Sequence, residues 1–208
     1  PMWSDHQPHH PKIVGVRHEQ AAVYAADGYA RATGRLGVAI TTTGPGAANA
    51  MGAFGEAAVS GSPILLISSD VSQALRSSGP GEAGQPRGIL HEMNDQAAMF
   101  KVFDAHGVVA TNAHTPAEVI AAVRAAIAAA QTTPTSPHYV SVPADVLGLP
   151  AEAAAALPDL AEQVIAPESH VRLLAQLINA SPKTVIWAGG GVVQCGAAGE
   201  EAVAALAQ

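Results

Sequence analysis

Strand and helix signals alternate along this chain, and that order constrains its fold more than any other feature. Residues 12–16 read as a short strand and 18–33 as a helix. Glu19 sits in the first helical turn, where the dipole favours negative charge, and Gly34 supplies the stop. Gly28 inside that helix costs about 1 kcal/mol relative to Ala, which predicts a close backbone contact there. Residues 36–43 form a continuous apolar to β-branched run, the pattern of a strand covered on both faces. Gly44-Pro45-Gly46 breaks the run, and 47–60 continues as a small-residue helix. Pro63 precedes another buried strand over 64–68. Residues 71–88, with six glycines and prolines, read as an irregular loop long enough to suspect function. A fourth strand covers 106–111. Thr115-Pro116-Ala117-Glu118 is a capping box with Pro at the first helical position, opening a helix to about Gln131. The strand 138–142 ends at Pro143. Such alternation implies a doubly wound α/β fold, a parallel sheet with helices on both faces.

Residues 144–167 are Ala/Pro-rich without a strand signal. Beyond them come a helix near 170–180, a strand over 184–187, Gly189-Gly190-Gly191 and a last helix over 197–207. One βα unit cannot bury a sheet alone. The expected organisation is a first domain over 1–150, a linker over 151–167, and the beginning of a second α/β domain over 168–208. Hydrophobic residues make up 49% and charged ones 13%, with mean hydropathy +0.21, so part of the apolar surface is expected against a partner. The net charge of −7 and the scattered Lys and Arg argue against nucleic-acid binding. The single cysteine, Cys195, excludes an internal disulfide and fits a reducing compartment. No run of 18 apolar residues marks a membrane span, and the polar, His/Pro-rich first ten residues lack a signal-peptide core. The cytoplasm is the default expectation.

Four groups of residues could carry chemistry. Glu19 is followed by Ala21, Ala22, Val23 and Ala25, apolar neighbours expected to raise its pKa where the site is dry. A neutral carboxylic acid can donate a hydrogen bond to a ring nitrogen. Gly44-Pro45-Gly46 ends a buried strand and opens a helix, where ligands of open α/β sheets sit. A plain turn and an anion cradle are the alternatives, although neither GxxxxGK[ST] nor GxGxxG spacing is present. In His91-Glu92-Met93-Asn94-Asp95-Gln96, Asn94 or Asp95 could cap a helix, or His91 could exchange a proton near a substrate. Gly189–Gly191 with Gly196 follows a strand signal without dinucleotide spacing. His6, His9 and His10 have no ligand spacing, so no metal site is expected. A hydrolase has little support without a GxSxG elbow.

Three segments stand in a telling order: Val16-Arg17-His18-Glu19-Gln20-Ala21-Ala22, then Gly28-Tyr29-Ala30-Arg31 with Gly34, then Thr42-Thr43-Gly44-Pro45-Gly46-Ala47-Ala48-Asn49. Together they resemble the pyrimidine-binding domain of thiamine diphosphate enzymes, in particular the acetolactate synthase-like group of 2-oxo acid decarboxylases and carboligases. The resemblance implies that Glu19 bonds the N1′ nitrogen of the cofactor's aminopyrimidine and favours the tautomer that removes the thiazolium C2 proton. It implies that Thr43, Gly44, Pro45 and Gly46 lie against the pyrimidine, with Asn49 completing a GPGxxN pattern. It also brings His91 near the active site, although Leu90-His91-Glu92 stands where acetolactate synthases have Phe-Gln-Glu, and Ser69-Asp70 replaces a common Gly-Gln. These departures weaken acetolactate synthesis in particular.

By the same resemblance, magnesium and the diphosphate belong to a further domain marked by a GDG segment, and no GDG occurs here. FAD binds the central domain in some members only. The cofactor lies between subunits, which implies a homodimer or homotetramer acting on a small 2-oxo acid. The expectation is therefore a fragment of such an enzyme, inactive in isolation and lacking the opening strand and helix of its domain. A non-catalytic α/β binding or assembly module is the alternative, and a nucleotide-binding domain built on Gly189–Gly191 a weaker third.

Overall fold

The computed structural model describes residues 12–75, 88–129, 132, 134–151 and 165–208. Contacts divide the chain into two units, Pro1–Glu162 and Gln163–Gln208. In the first, helix α1 spans Glu19–Thr33. His18 caps it in extended conformation, its Nδ1 accepting from the Gln20 amide at 3.2 Å, and Gly34 closes it. Strand β1 (Gly37–Thr41) leads through the Gly-Pro-Gly bend into α2 (Pro45–Val59), and β2 covers Ile64–Asp70. After 3-10 turns over Gln73–Leu75 and Ala97–His106 come β3 (Val109–Asn112), α3 (Pro116–Ala129), β4 (His138–Pro143) and the short α4 (Ala144–Leu147).

The four strands are parallel, in the order β1-β2-β4-β3, with Leu66 opposite Ala39 on one side and Tyr139 on the other. One face packs Ala39, Ile64, Leu66 and Tyr139 beneath α1, α2 and the Ala97–His106 turns. Phe54 meets Phe100 edge-on at 4.9 Å between ring centroids, and Phe100 stacks on Tyr139 at 3.8 Å. The other face buries Leu65, Val140 and Val142 with Ala126 of α3 and Val146 of α4. Helices thus cover both faces of a doubly wound α/β sheet, as the alternation predicts.

Several local expectations fail, each for a physical reason. Residues 12–16 form no strand: Ile13, Val14 and Val16 are exposed, and an extended segment without a hydrogen-bonded neighbour is not a strand. Strand β1 is covered on one face only; Val38 and Ile40 are 54% and 69% exposed because α3 and α4 pack over β2 and β4 instead. Gly28 has no close contact, since a Cβ there would meet nothing within 4 Å. The 3-10 turns run to His106, so β3 starts at Val109 rather than 106. The capping box is half formed. Thr115 Oγ1 accepts from the Glu118 amide at 3.2 Å, but Glu118 reaches back to the His114 amide, one residue before the usual partner. The helix end predicted at Gln131 and most of the predicted loop, 76–87, lie outside the described residues.

The second unit contains α5 (Glu168–Ala180), α6 (Gly190–Gln194) and α7 (Gly196–Leu206). Residues 184–187 are not a strand, and Val185 and Trp187 are 92% and 94% exposed. No described residue of this unit is buried. Among the described residues, no helix is long and apolar enough to cross a membrane, and no cluster of three or more His, Cys, Asp or Glu could hold a metal ion.

Candidate functional site

Parallel strands direct all their carboxyl ends to one edge of the sheet, and the predicted site residues gather there. Thr41 Oγ1 and Ser68 Oγ lie 2.6 Å apart across β1 and β2, and Thr43 Oγ1 and Ser69 Oγ 2.8 Å apart just beyond. The bend starts at Gly44, with φ 59° and ψ −107°. A side chain is doubly excluded there, because a Cβ would fall 2.5 Å from the His91 carbonyl oxygen. Pro45 occupies the first turn of α2, where its missing N–H is no loss. A Cβ on Gly46 would fall 2.6 Å from Thr42 Cγ2 and 3.4 Å from Glu19 Oε1. The Glu19 carboxylate therefore lies beside the bare backbone of Gly46. Asn49, one turn further along α2, donates from Nδ2 to Glu19 Oε2 at 3.2 Å. Glu19, Thr43, Gly44, Pro45, Gly46 and Asn49 thus come together at one edge, and the His91 backbone packs on Gly44.

The expected rise in the Glu19 pKa depends on a dry site, and in the uncovered chain the carboxyl is not enclosed. The Glu19 backbone N–H first, then the Asn49 amide, hold its carboxyl below the usual carboxylate range; slight burial opposes them, and His18 adds to the lowering. Its apolar sequence neighbours do not enclose it, because a helix fans them out: Val23 is buried while Ala21 and Ala25 face solvent. On this chain Glu19 is ionised and partly exposed. His91 is exposed and holds φ 65°, an uncommon conformation for a residue with a side chain. Of the two predicted caps, Asp95 serves: its Oδ1 accepts from the Ala98 amide at 3.0 Å and from Asn112 Nδ2 at 2.8 Å.

Gln96 escaped the sequence reading. It is fully buried; its Oε1 accepts from the Gly44 amide at 2.6 Å, while its Nε2 lies 2.9 Å from the Ser69 carbonyl, 2.8 Å from Tyr139 Oη and 3.3 Å from Ser141 Oγ. Ser141 in turn donates to the buried Asp70 Oδ2 at 3.1 Å. Burial pushes the Tyr139 phenol up to about 12, so it keeps its proton. A lone Gln heading the apolar run Ala97–Phe100 was the available signal.

The acid and the Gly-Pro-Gly bend stand at the carboxyl edge of a parallel α/β sheet, where ligands of such sheets bind. Residues 1–99 match the N-terminal TPP binding domain of thiamine pyrophosphate enzymes. The chain is 34% identical over 197 residues to the probable 2-ketoarginine decarboxylase AruI of Pseudomonas aeruginosa, covering 94% of this chain and 33% of the relative. It is 32% identical over 203 residues to the acetolactate synthase large subunit of Corynebacterium glutamicum (95% and 30%). It is also 38% identical over 136 residues to 2-hydroxyacyl-CoA lyase 2 of Bos taurus (65% and 20%). A solved structure of an enzyme from Mycobacterium smegmatis, described as thiamin diphosphate-dependent, shares the fold with a TM-score of 0.64 at 24% identity, over 79% of this chain and 30% of that one. Through its N-terminal region the chain belongs to the thiamine pyrophosphate enzyme family, acetolactate synthase-like. It spans a third or less of the length of these relatives.

Proposed function

We propose that this chain supplies the pyrimidine-binding half-site of a thiamine diphosphate-dependent 2-oxo acid decarboxylase or carboligase, with Glu19 as the group that activates the aminopyrimidine. The observation that carries the reading is the Glu19 carboxylate beside Gly46 with Asn49 on its Oε2. The residues fit a flat heterocycle: the bend offers the bare backbone of two glycines, and a carboxylate oxygen stands at its rim. Bound thiamine diphosphate supplies the carbon nucleophile and electron sink for breaking a bond beside a carbonyl.

The chain's own residues do the rest. Asn49 occupies one carboxylate oxygen, which leaves Oε1 for a ring nitrogen. A ring lying over Glu19 desolvates it and raises its proton affinity, so a carboxylate ionised in the open chain can hold a proton at Oε1 once covered. Thr43 stays fixed to β2 through Ser69 and steadies the approach to the bend. In this reading His91, exposed and with its backbone beside Gly44, exchanges a proton with the substrate. In this reading magnesium is held with the diphosphate by a part of the enzyme beyond these 208 residues. A homodimer or homotetramer, a small 2-oxo acid substrate and a cytoplasmic setting complete the reading. They are supported by the exposed apolar Tyr24, Tyr29, Val38 and Ile40, by relatives named for decarboxylation and acetolactate synthesis, and by the single cysteine. The retained Glu19–Asn49–bend arrangement counts against a non-catalytic module.

The test is Glu19→Gln in the complete enzyme. Turnover should fall by about 10²–10⁴-fold while the melting temperature stays at the wild-type value. Wild-type turnover in that variant would remove Glu19 from the mechanism.

A further inference from the structure

We infer that Gln96 is a positioning residue: its buried amide locks the Gly44 N–H, and with it the bend, to strands β2 and β4. The inference rests on the proposed cofactor reading only for what the bend is positioned to do; the lock itself is a matter of geometry.

Gly44 is the pivot of the bend. Its φ of 59° and ψ of −107° are held by no side-chain cap, and its N–H points inward, where water cannot reach it. A buried donor left unpaired is costly, so something must accept from it. Gln96 Oε1 does, at 2.6 Å, across 52 residues of sequence. The other end of the same amide is anchored to β2 and β4, with the Ser69 carbonyl, Tyr139 Oη and Ser141 Oγ all within reach of Nε2. Tyr139 is immobilised by its stack on Phe100, and Ser141 by its bond to Asp70. The amide thus transmits the rigidity of two central strands to a single backbone N–H. From the opposite side the His91 carbonyl closes on Gly44, so the bend is gripped between the side chain of Gln96 and the backbone of His91. Two residues on, Gly46 fixes the distance to Glu19 Oε1. Loosening Gly44 therefore moves the surface that faces the acid, although Gln96 touches neither Glu19 nor a bound ring.

Hydrogen–deuterium exchange of the Gly44 amide in the 208-residue chain reads the lock without any cofactor. Gln96→Met keeps the length and removes the acceptor; Gln96→Glu keeps an oxygen toward Gly44. Exchange at Gly44 should quicken roughly tenfold in Gln96→Met, the scale of one lost hydrogen bond. It should return toward wild type in Gln96→Glu and leave Leu66 and Val140 in the sheet core unchanged. Unaltered Gly44 exchange in Gln96→Met would overturn the proposal. So would a rise shared equally by Leu66 and Val140, which would make Gln96 a general core residue. Should Gln96→Met not fold, Tyr139→Phe keeps the ring stack while removing one anchor. It should quicken Gly44 exchange severalfold, and no change there overturns the lock. In the complete enzyme the thiamine diphosphate dissociation constant should rise roughly tenfold in Gln96→Met and recover in Gln96→Glu. A loosened Gly44 with unchanged affinity would refute the positioning role. Failure of the cofactor reading shows separately, as Glu19→Gln turning over normally.

Discussion

Two glycines of this chain meet opposite demands, and substitution separates them. Gly44 combines a left-handed φ with the His91 carbonyl where a Cβ would stand, so Gly44→Ala should destabilise the chain by about 1–3 kcal/mol. Gly28 lies in the interior of α1 with open space around it, so Gly28→Ala should stabilise by about 0.5–1 kcal/mol. Urea titration of the two variants gives both signs; a destabilised Gly28→Ala would restore the close contact that its place in the helix first implied. The contrast also shows which residues could be read in advance. Glu19, Gly44, Gly46 and Asn49 were legible because their spacing encodes backbone geometry, a helix start and a glycine-flanked bend. The charge of Glu19 was not, because it depends on which direction each helical neighbour faces and on the Asn49 amide arriving from another helix. Gln96 was hidden for the same reason: its four partners are all distant in sequence.

Elements were legible where local pattern and tertiary pairing agree. Strands β1, β2 and β4 announced themselves as apolar runs bounded by Gly or Pro, and each found neighbours. Residues 12–16 and 184–187 carry the same local signal but no described strand lies beside them, so the pattern alone produced no strand. Strand β4 carries its own test. Its first residue, His138, is buried between Leu65 and Val109, and its Nε2 has no hydrogen-bond partner among the described residues. Burial pushes its pKa below the usual imidazole value. Above about pH 6.5, the ordinary histidine value, His138 is neutral in both folded and unfolded chains and adds no pH dependence. As the pH falls below that value the unfolded chain takes up the proton first, so stability declines until the native imidazole protonates as well. Thermal melts between pH 8 and 5 should show this decline, and His138→Phe should flatten the part due to this residue. An identical slope in the variant would clear His138 of the effect.

For the whole molecule, the question is what the chain can do with the surfaces it has. Its sheet offers one working edge, and there the Glu19 carboxylate is ionised and partly open to water. A heterocycle resting on that edge would have one face against the bend, and the described residues hold no metal cluster to meet a diphosphate. The second unit buries none of its described residues, so these enclose no cavity. Half a cradle gives little binding energy, because covering one ring face removes only part of the apolar area from water while the Glu19 charge must still be desolvated. The 208-residue chain should therefore bind thiamine diphosphate no more tightly than about 1 mM, near −4 kcal/mol. Calorimetric titration of the chain decides this. Micromolar affinity would mean that the groups gathered at the carboxyl edge suffice alone, and the half-site reading would give way to a self-sufficient one.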